Sequence, residues 1–191
     1  MLSDYHKTHM VKEKPSLFEF LGYMLFAPCF ICGPIYEFAA WKNYVEEKDV
    51  FTKIPSTVLP ALKMVGQALF WLVAFVLISS YFQVDFLYTD EYGQMNIFAK
   101  LAYMNFAMDG NKARYYLAFK FPEAGGVASG LSYEGTKTKG GQIIESFDRL
   151  CNLRTRYTEF GLNPKDMTDN WNISTAKWLR YYVYTRIIPE S

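Results

Sequence analysis

From Met64 to Val84 the chain runs through 21 residues without a charge, MVGQALFWLVAFVLISSYFQV, closed off by Lys63 and Asp85. At about 1.5 Å of rise per residue such a helix is about 30 Å long, enough to cross the hydrocarbon core of a bilayer. Apolar residues fall on every face of it rather than in one stripe. That is the pattern of a helix surrounded by lipid, not of one packed by a single face on a soluble core. The pattern predicts a transmembrane span over residues 64–84.

A second uncharged run, FLGYMLFAPCFICGPIY, lies between Glu19 and Glu37. Pro28 and the pair Gly33-Pro34 interrupt the backbone hydrogen-bond ladder there, so no straight helix is expected. Broken backbone at membrane depth is stable only where protein or a watery cavity covers it, which predicts a re-entrant or kinked segment over 20–36 bordering a chamber. Residues 97–108 are apolar but too short to cross alone, and Asp109-Gly110-Asn111 predicts a turn before a further span candidate over 113–133. Within that segment Lys120 and Glu123 stand three apart on one helical face, where they neutralise one another and mark an interior side. The AGGVASG stretch that follows permits close backbone approach to another element. From Glu134 to Arg156 the chain turns polar and basic and reads as an interfacial loop leading into an amphipathic helix. The expected fold class is all-α: a multi-spanning helical membrane protein, with a polar N-terminal segment over 1–14 and a membrane domain over 15–191.

Composition agrees, since 51% of the residues are hydrophobic and 18% aromatic, high for a soluble chain of 191 residues. Twenty basic against nineteen acidic residues leave a formal charge of +1, so no nucleic-acid partner is expected. The three cysteines cannot all pair within one chain. The Cys29-Phe-Ile-Cys32 spacing sits among apolar neighbours without a second Cys or His pair, so packing is expected there, and neither a metal nor a bound cofactor. Residues 1–14 lack the basic-then-apolar order of a secretory signal, which leaves targeting to the first internal apolar run.

The last third of the chain carries Glu159, eleven further residues, then Trp171-Asn172-Ile173-Ser174-Thr175-Ala176-Lys177-Trp178. On a helix starting near Ser174, Trp178, Tyr181 or Tyr182, and Thr185 recur at three-to-four spacing and form an aromatic stripe. Alone, that stripe means core packing. Asn172-Ile173-Ser174 is formally a glycosylation sequon, but it adjoins a dense apolar context rather than an exposed loop.

The arrangement Glu-x11-Trp-Asn-x2-Thr-x2-Trp resembles a signature of the lysophospholipid-acyltransferase branch of the membrane-bound O-acyltransferases. Further stretches resemble the same branch in the same order: PSLFEFLGYMLFAPCFICGPIYEF near the start, YYLAFKFPEAGGVASGLSYEG in the middle, and FDRLCNLRTRYTEF, similar to its "WD-x3-N" approach to the asparagine motif. The likeness runs from about Pro15 to Arg186, with the asparagine motif over 159–186. It implies transfer of an acyl group from acyl-CoA, as co-substrate, to the free hydroxyl of a lysophospholipid in phospholipid remodelling. The expected setting is a chamber inside an integral membrane bundle of the endoplasmic reticulum.

The family places an asparagine and a histidine in that chamber, and Asn172 matches the asparagine. A hydroxyl nucleophile needs a base near neutral pH, which suits histidine; a carboxamide orients the hydroxyl or stabilises the thioester oxyanion by hydrogen bonding. Glu159, Trp171, Thr175 and Trp178 are the next candidates, as wall and hydrogen-bond support for substrate. Thr175 stands one turn after Asn172, where it would position the carboxamide. The family's histidine lies downstream in a Trp-His-Gly-like sequence, whereas this sequence has only His6 and His9, in a segment read as a solvated tail. The expectation is therefore a central part of a longer acyltransferase, with the histidine supplied by a missing C-terminal part or a protein partner. The alternative is a catalytically inactive membrane subunit or assembly factor derived from the same fold. A small transporter or channel, suggested by the broken run and by Lys120 and Glu123, leaves the motif spacing unexplained.

Overall fold

The computed structural model describes residues 4–30 and 32–188. Ile31, inside the broken apolar run, and residues 1–3 and 189–191, at the ends of the predicted terminal segments, lie outside the described residues.

The chain opens with α1 (Asp4–His9) and α2 (Leu17–Met24). At the start of α2 Ser16 and Glu19 exchange hydrogen bonds in a reciprocal capping box. A single 3-10 turn over Ala27–Cys29 and a stretch of extended backbone then lead to α3 (Phe38–Val45). The run over 20–36 is thus broken where the prolines predict, into the end of a helix, a turn and extended chain.

The uncharged run forms α4 (Val58–Tyr81), which starts six residues before the predicted span and ends three short of it. Lys63 lies inside the helix because lysine is a good helix former; its charge marks a change of polarity, not the end of backbone hydrogen bonding. Pro60 is accommodated in the first turn, where an N–H partner is missing anyway. Among the described residues α4 is the one helix long and apolar enough to cross a membrane. Leu62, Leu69, Phe70, Val73 and Leu77 on α4 are left exposed by the rest of the chain, as a lipid-facing surface requires.

After α5 (Asp90–Gln94) comes α6 (Ile97–Ser129), a continuous helix of 33 residues. It runs antiparallel to α4. Thr57 Oγ1 donates to Ala128 O at 3.3 Å near one end, Trp71 meets Tyr116 edge-on at 4.6 Å, and Phe82 stacks on Phe106 at 4.8 Å near the other.

The expected turn at Asp109-Gly110-Asn111 does not form, and the two predicted pieces over 97–108 and 113–133 are one helix. A Cβ on Gly110 would come within 3.1 Å of Ile78 and Ser79, so this glycine serves the close approach of α4 rather than a turn. Asp109 pairs with Lys112 one turn on, at 3.0 Å, and so supports the helix locally. Gly125 and Gly126 act in the same way: their Cβ positions fall 3.2 Å from Pro28 and 2.6 Å from Leu150. AGGVASG therefore seats the broken segment and the later chain against α6.

At the end of α6, Gly130 adopts a left-handed backbone with φ 90°, and its Cβ position lies 3.0 Å from Ile54. Gly130→Ala is expected to cost about 1–2 kcal/mol through that backbone alone. A lower midpoint of thermal unfolding in detergent micelles would report it.

The polar stretch that follows is a β-hairpin, which corrects the all-helical expectation. β1 (Gly135–Lys139) pairs antiparallel with β2 (Gln142–Ser146), Gly135 opposite Ser146 and Lys139 opposite Gln142. Gly140 and Gly141, with φ 58° and 81°, form the two-residue turn that such a hairpin favours. Its Thr and Lys positions make no apolar face, so hydrophobic periodicity carries no strand signal here. The Gly-Gly pair is the signal that does.

The chain finishes with α7 (Thr155–Phe160), α8 (Pro164–Asp169) and α9 (Ile173–Trp178). α9 continues through a π-helical turn over Leu179–Tyr184 into α10 (Thr185–Ile187). Cys29, Trp41, Phe51, Leu131 and Leu150 form a small buried core that joins the broken segment, α3 and the end of α6. Cys29 packs in that core while Cys32 is exposed.

Candidate functional site

Asn172 stands at the start of α9 with φ 49° and ψ 49°, a left-handed conformation that asparagine tolerates better than most residues. An asparagine at a helix start ordinarily turns its side chain back onto the N–H groups of the first turn. Asn172 makes no such bond. Asn152, from the segment after the hairpin, does that work instead. Ile173 N donates to Asn152 O at 2.9 Å, and Ser174 N and Ser174 Oγ donate to Asn152 Oδ1 at 2.9 and 2.7 Å. Ser174 Oγ in turn accepts from Ile35 N at 3.0 Å, which ties the broken segment to the same point.

These bonds set the direction of both carboxamides. A backbone N–H only donates, so Asn152 must present its oxygen to Ser174 and its amide to the other side. There Asn152 Nδ2 donates to Asn172 Oδ1 at 3.3 Å. The oxygen of Asn172 is thereby engaged, and among the described residues none accepts from its Nδ2.

Asn152 is itself held by the interior of α6. Glu123 Oε1 accepts from Asn152 N at 2.7 Å and from Leu153 N at 2.9 Å, while Glu123 Oε2 accepts from Lys120 Nζ at 2.6 Å. Lys120 also donates to Leu153 O. Lys120 and Glu123 are 3% and 1% exposed. The mutual neutralisation expected from their spacing is therefore present, and the pair clamps the backbone on which Asn152 stands.

The side chains of Glu159 and Trp171 do not bond to the Asn172 carboxamide; they meet on α6. Tyr116, 0% exposed, donates to Glu159 Oε1 and lies 5.6 Å from the Trp171 ring, with Phe119 on the same indole at 5.5 Å. Lys112 Nζ donates to Glu159 Oε2 at 2.9 Å. The eleven residues between Glu159 and Trp171 fold back through α8, closed by Arg154 N donating to Asn170 O at 3.1 Å. Glu159 is thus a docking residue of α7, and Trp171 anchors the approach to Asn172.

Thr175 is half-buried on α9, and the hydrogen bond to the Asn172 carboxamide comes from Asn152 rather than from Thr175. Trp178 is 42% exposed and stacks on Tyr182 at 6.3 Å. With Ser174 and Lys177 it walls a cleft of about 260 Å³, whose other side carries Tyr5, Tyr36 and Glu37. Ile35 and Tyr36 of the broken segment line this cleft, and Asn172 is not among its walls.

The polar opening segment is packed in part: Tyr5, His6 and His9 are half-buried, so the two histidines do not stand in a free tail, while residues 7, 8 and 10–14 are exposed. The Tyr5 ring stacks on Tyr181 at 3.7 Å, and His6 Nε2 lies 2.9 Å from Tyr181 O. Tyr5 and Tyr182 both donate to Glu37. Burial, reinforced by Glu37, pushes both phenols above their usual range and keeps them as donors. Burial likewise pushes the Cys151 thiol up, with the charge of Glu123 adding to the effect. A thiol shifted in that direction is a weaker nucleophile than an ordinary one.

Asn152 and Ser174 are the members of this network to which sequence reasoning gave no role. Asn152 lies inside the family-like FDRLCN stretch, which was the available signal, but its partners are 20 to 29 residues away along the chain.

Comparison with known proteins gives this geometry a context. The profile of the membrane-bound O-acyltransferase family matches residues 3–191. A lysophospholipid acyltransferase of Schizosaccharomyces pombe is 29% identical over 99% of this chain and 38% of its own length. Membrane-bound glycerophospholipid O-acyltransferase 1 of Mus musculus is 29% identical over 93% of this chain and 39% of its own. Lysophospholipid acyltransferase 5 of Homo sapiens is 26% identical over 97% and 38%. The chain therefore spans about two-fifths of the length of these curated relatives. With the family profile covering nearly every residue around an apolar helix of spanning length, the chain belongs to the membrane-bound O-acyltransferase family.

Proposed function

We propose that this chain carries the asparagine-bearing part of an acyltransferase centre that moves an acyl group from acyl-CoA to the hydroxyl of a lysophospholipid, in phospholipid remodelling at the endoplasmic reticulum. The observation that carries the reading is the Asn172 carboxamide, whose oxygen is taken by Asn152 Nδ2. When the hydroxyl attacks the thioester carbonyl, negative charge develops on the carbonyl oxygen, and an N–H donor already aimed at it lowers the barrier. Asn172 Nδ2 fits that task. A carboxamide does not take the proton from the hydroxyl, so a base is needed as well. His6 Nε2 and His9 Nδ1 lie against the backbone oxygens of Tyr181 and Tyr5. Following the family resemblance, in which the histidine lies downstream of the asparagine motif, we assign the base to a histidine supplied by another part of the protein or by a partner chain. In the same reading α4 and α6 are neighbouring members of a multi-spanning bundle, with Lys120 and Glu123 turned inward.

The test is acylation of a panel of lysophospholipids by acyl-CoA in membranes of cells producing the protein from its own locus. Asn172→Ala is expected to lower turnover by about 100-fold at equal protein level, the scale of losing one oxyanion donor. Unaltered acylation by Asn172→Ala would sink the reading.

A further inference from the structure

We propose that Asn152 is the positioning residue for Asn172, turning its carboxamide so that Nδ2 and not Oδ1 faces the reacting thioester; this rests on the function proposed above. A carboxamide is nearly symmetric in shape, so packing alone does not distinguish its two ends. Only the pattern of donors and acceptors around it does. Here that pattern is fixed step by step from a point that has no freedom, the backbone N–H of Ser174. It forces Oδ1 of Asn152 towards α9 at 2.9 Å. The amide of Asn152 then points at Asn172, 3.3 Å away, and selects the oxygen of Asn172 as the engaged end.

Two further devices hold Asn152 in place. Glu123 grips its backbone N–H at 2.7 Å and that of Leu153 at 2.9 Å. Ile173 N donates to its carbonyl at 2.9 Å, so the two asparagines sit on crossing segments of fixed separation. Because Asn152 also caps α9, the side chain of Asn172 is released from the capping duty that its place at the helix start would impose. The arrangement leaves one donor group of one asparagine unspent, at the residue that matches the family motif.

Asn152→Asp tests this directly. The change keeps an acceptor for Ser174 but removes the amide donor, so the Asn172 carboxamide turns over and presents Nδ2 to the new carboxylate. Turnover is expected to fall about 10- to 100-fold with KM for lysophospholipid within about twofold, on the scale of one misdirected oxyanion donor. In an Asn172→Ala background the same change is expected to cause no further loss, because its effect passes through Asn172. Unchanged turnover in Asn152→Asp, or a full further loss in the Asn172→Ala background, would overturn the assignment. Should the parent protein acylate no lysophospholipid, the proposed function fails on its own. The contact is then judged by thermal midpoints in detergent micelles, where shifts for Asn152→Asp and Asn172→Ala that fall short of additive support the pairing and additive shifts refute it.

Discussion

Glu123→Ala is expected to leave little folded protein in the membrane. Among the described residues Glu123 is the one counter-charge within reach of Lys120, at 2.6 Å and out of reach of solvent. Removing one partner of a buried pair strands the other charge, a loss of about 3–5 kcal/mol. The same carboxylate accepts from two backbone N–H groups, those of Asn152 and Leu153. Each buried donor left without a partner adds about 1–3 kcal/mol. The total rivals the whole stability of an ordinary domain, about 5–15 kcal/mol. The measurement is the yield of detergent-extracted protein and its unfolding midpoint. A double replacement, Lys120→Met with Glu123→Gln, removes both charges but keeps an acceptor for the two N–H groups, and it is expected to regain most of the yield. If the double variant is as poor as Glu123→Ala, the backbone clamp and the stranded charge are not the cause.

Tyr116→Ala is expected to be the second most damaging change. The ring is fully buried between Trp71 of α4, at 4.6 Å, and Trp171, at 5.6 Å, and its hydroxyl holds Glu159. Emptying such a site costs about 3–5 kcal/mol in proteins whose cores face water. In a bilayer the transfer part of that figure shrinks but the lost packing does not, so about 3 kcal/mol is expected. Tyr116→Phe separates the two contributions: it keeps the ring contacts and gives up only the hydrogen bond to a charged group, about 1.5–3 kcal/mol. Unfolding midpoints should therefore fall in the order parent, Tyr116→Phe, Tyr116→Ala. A Tyr116→Ala variant as stable as the parent would show that α4, α6 and α7 do not depend on this junction.

The parts of this structure legible in the sequence are those written in near neighbours. The absence of charge over Met64–Val84 gives α4, and Pro28 with Pro34 gives the break before α3. The three-residue spacing of Lys120 and Glu123 gives their ion pair, because a helix brings those positions together. What stays hidden depends on distant partners. Gly110 reads as a turn in isolation and becomes a packing residue only once Ile78 lies against it. Thr175 is one turn from Asn172 and looks like its support, yet the support comes from Asn152, twenty positions earlier. The hairpin over Gly135–Ser146 lies between these cases, since its Gly-Gly turn is local but its strands lack the apolar alternation that would announce them. Asn172 is legible as a motif residue; the direction its carboxamide faces is not.

The loop between Glu159 and Trp171 gives the motif's spacing a different meaning. What the fold fixes is that both ends return to Tyr116, while α8 and the flanking turns between them stand largely in solvent. Closing a loop a few residues longer adds only a few tenths of a kcal/mol, because the entropy of closure grows with the logarithm of length. The eleven residues therefore act as a hinge pin's span and not as a ruler. Natural variation in this chain should gather in the outer arc of that loop, and the two residues at its base should stay put as a unit.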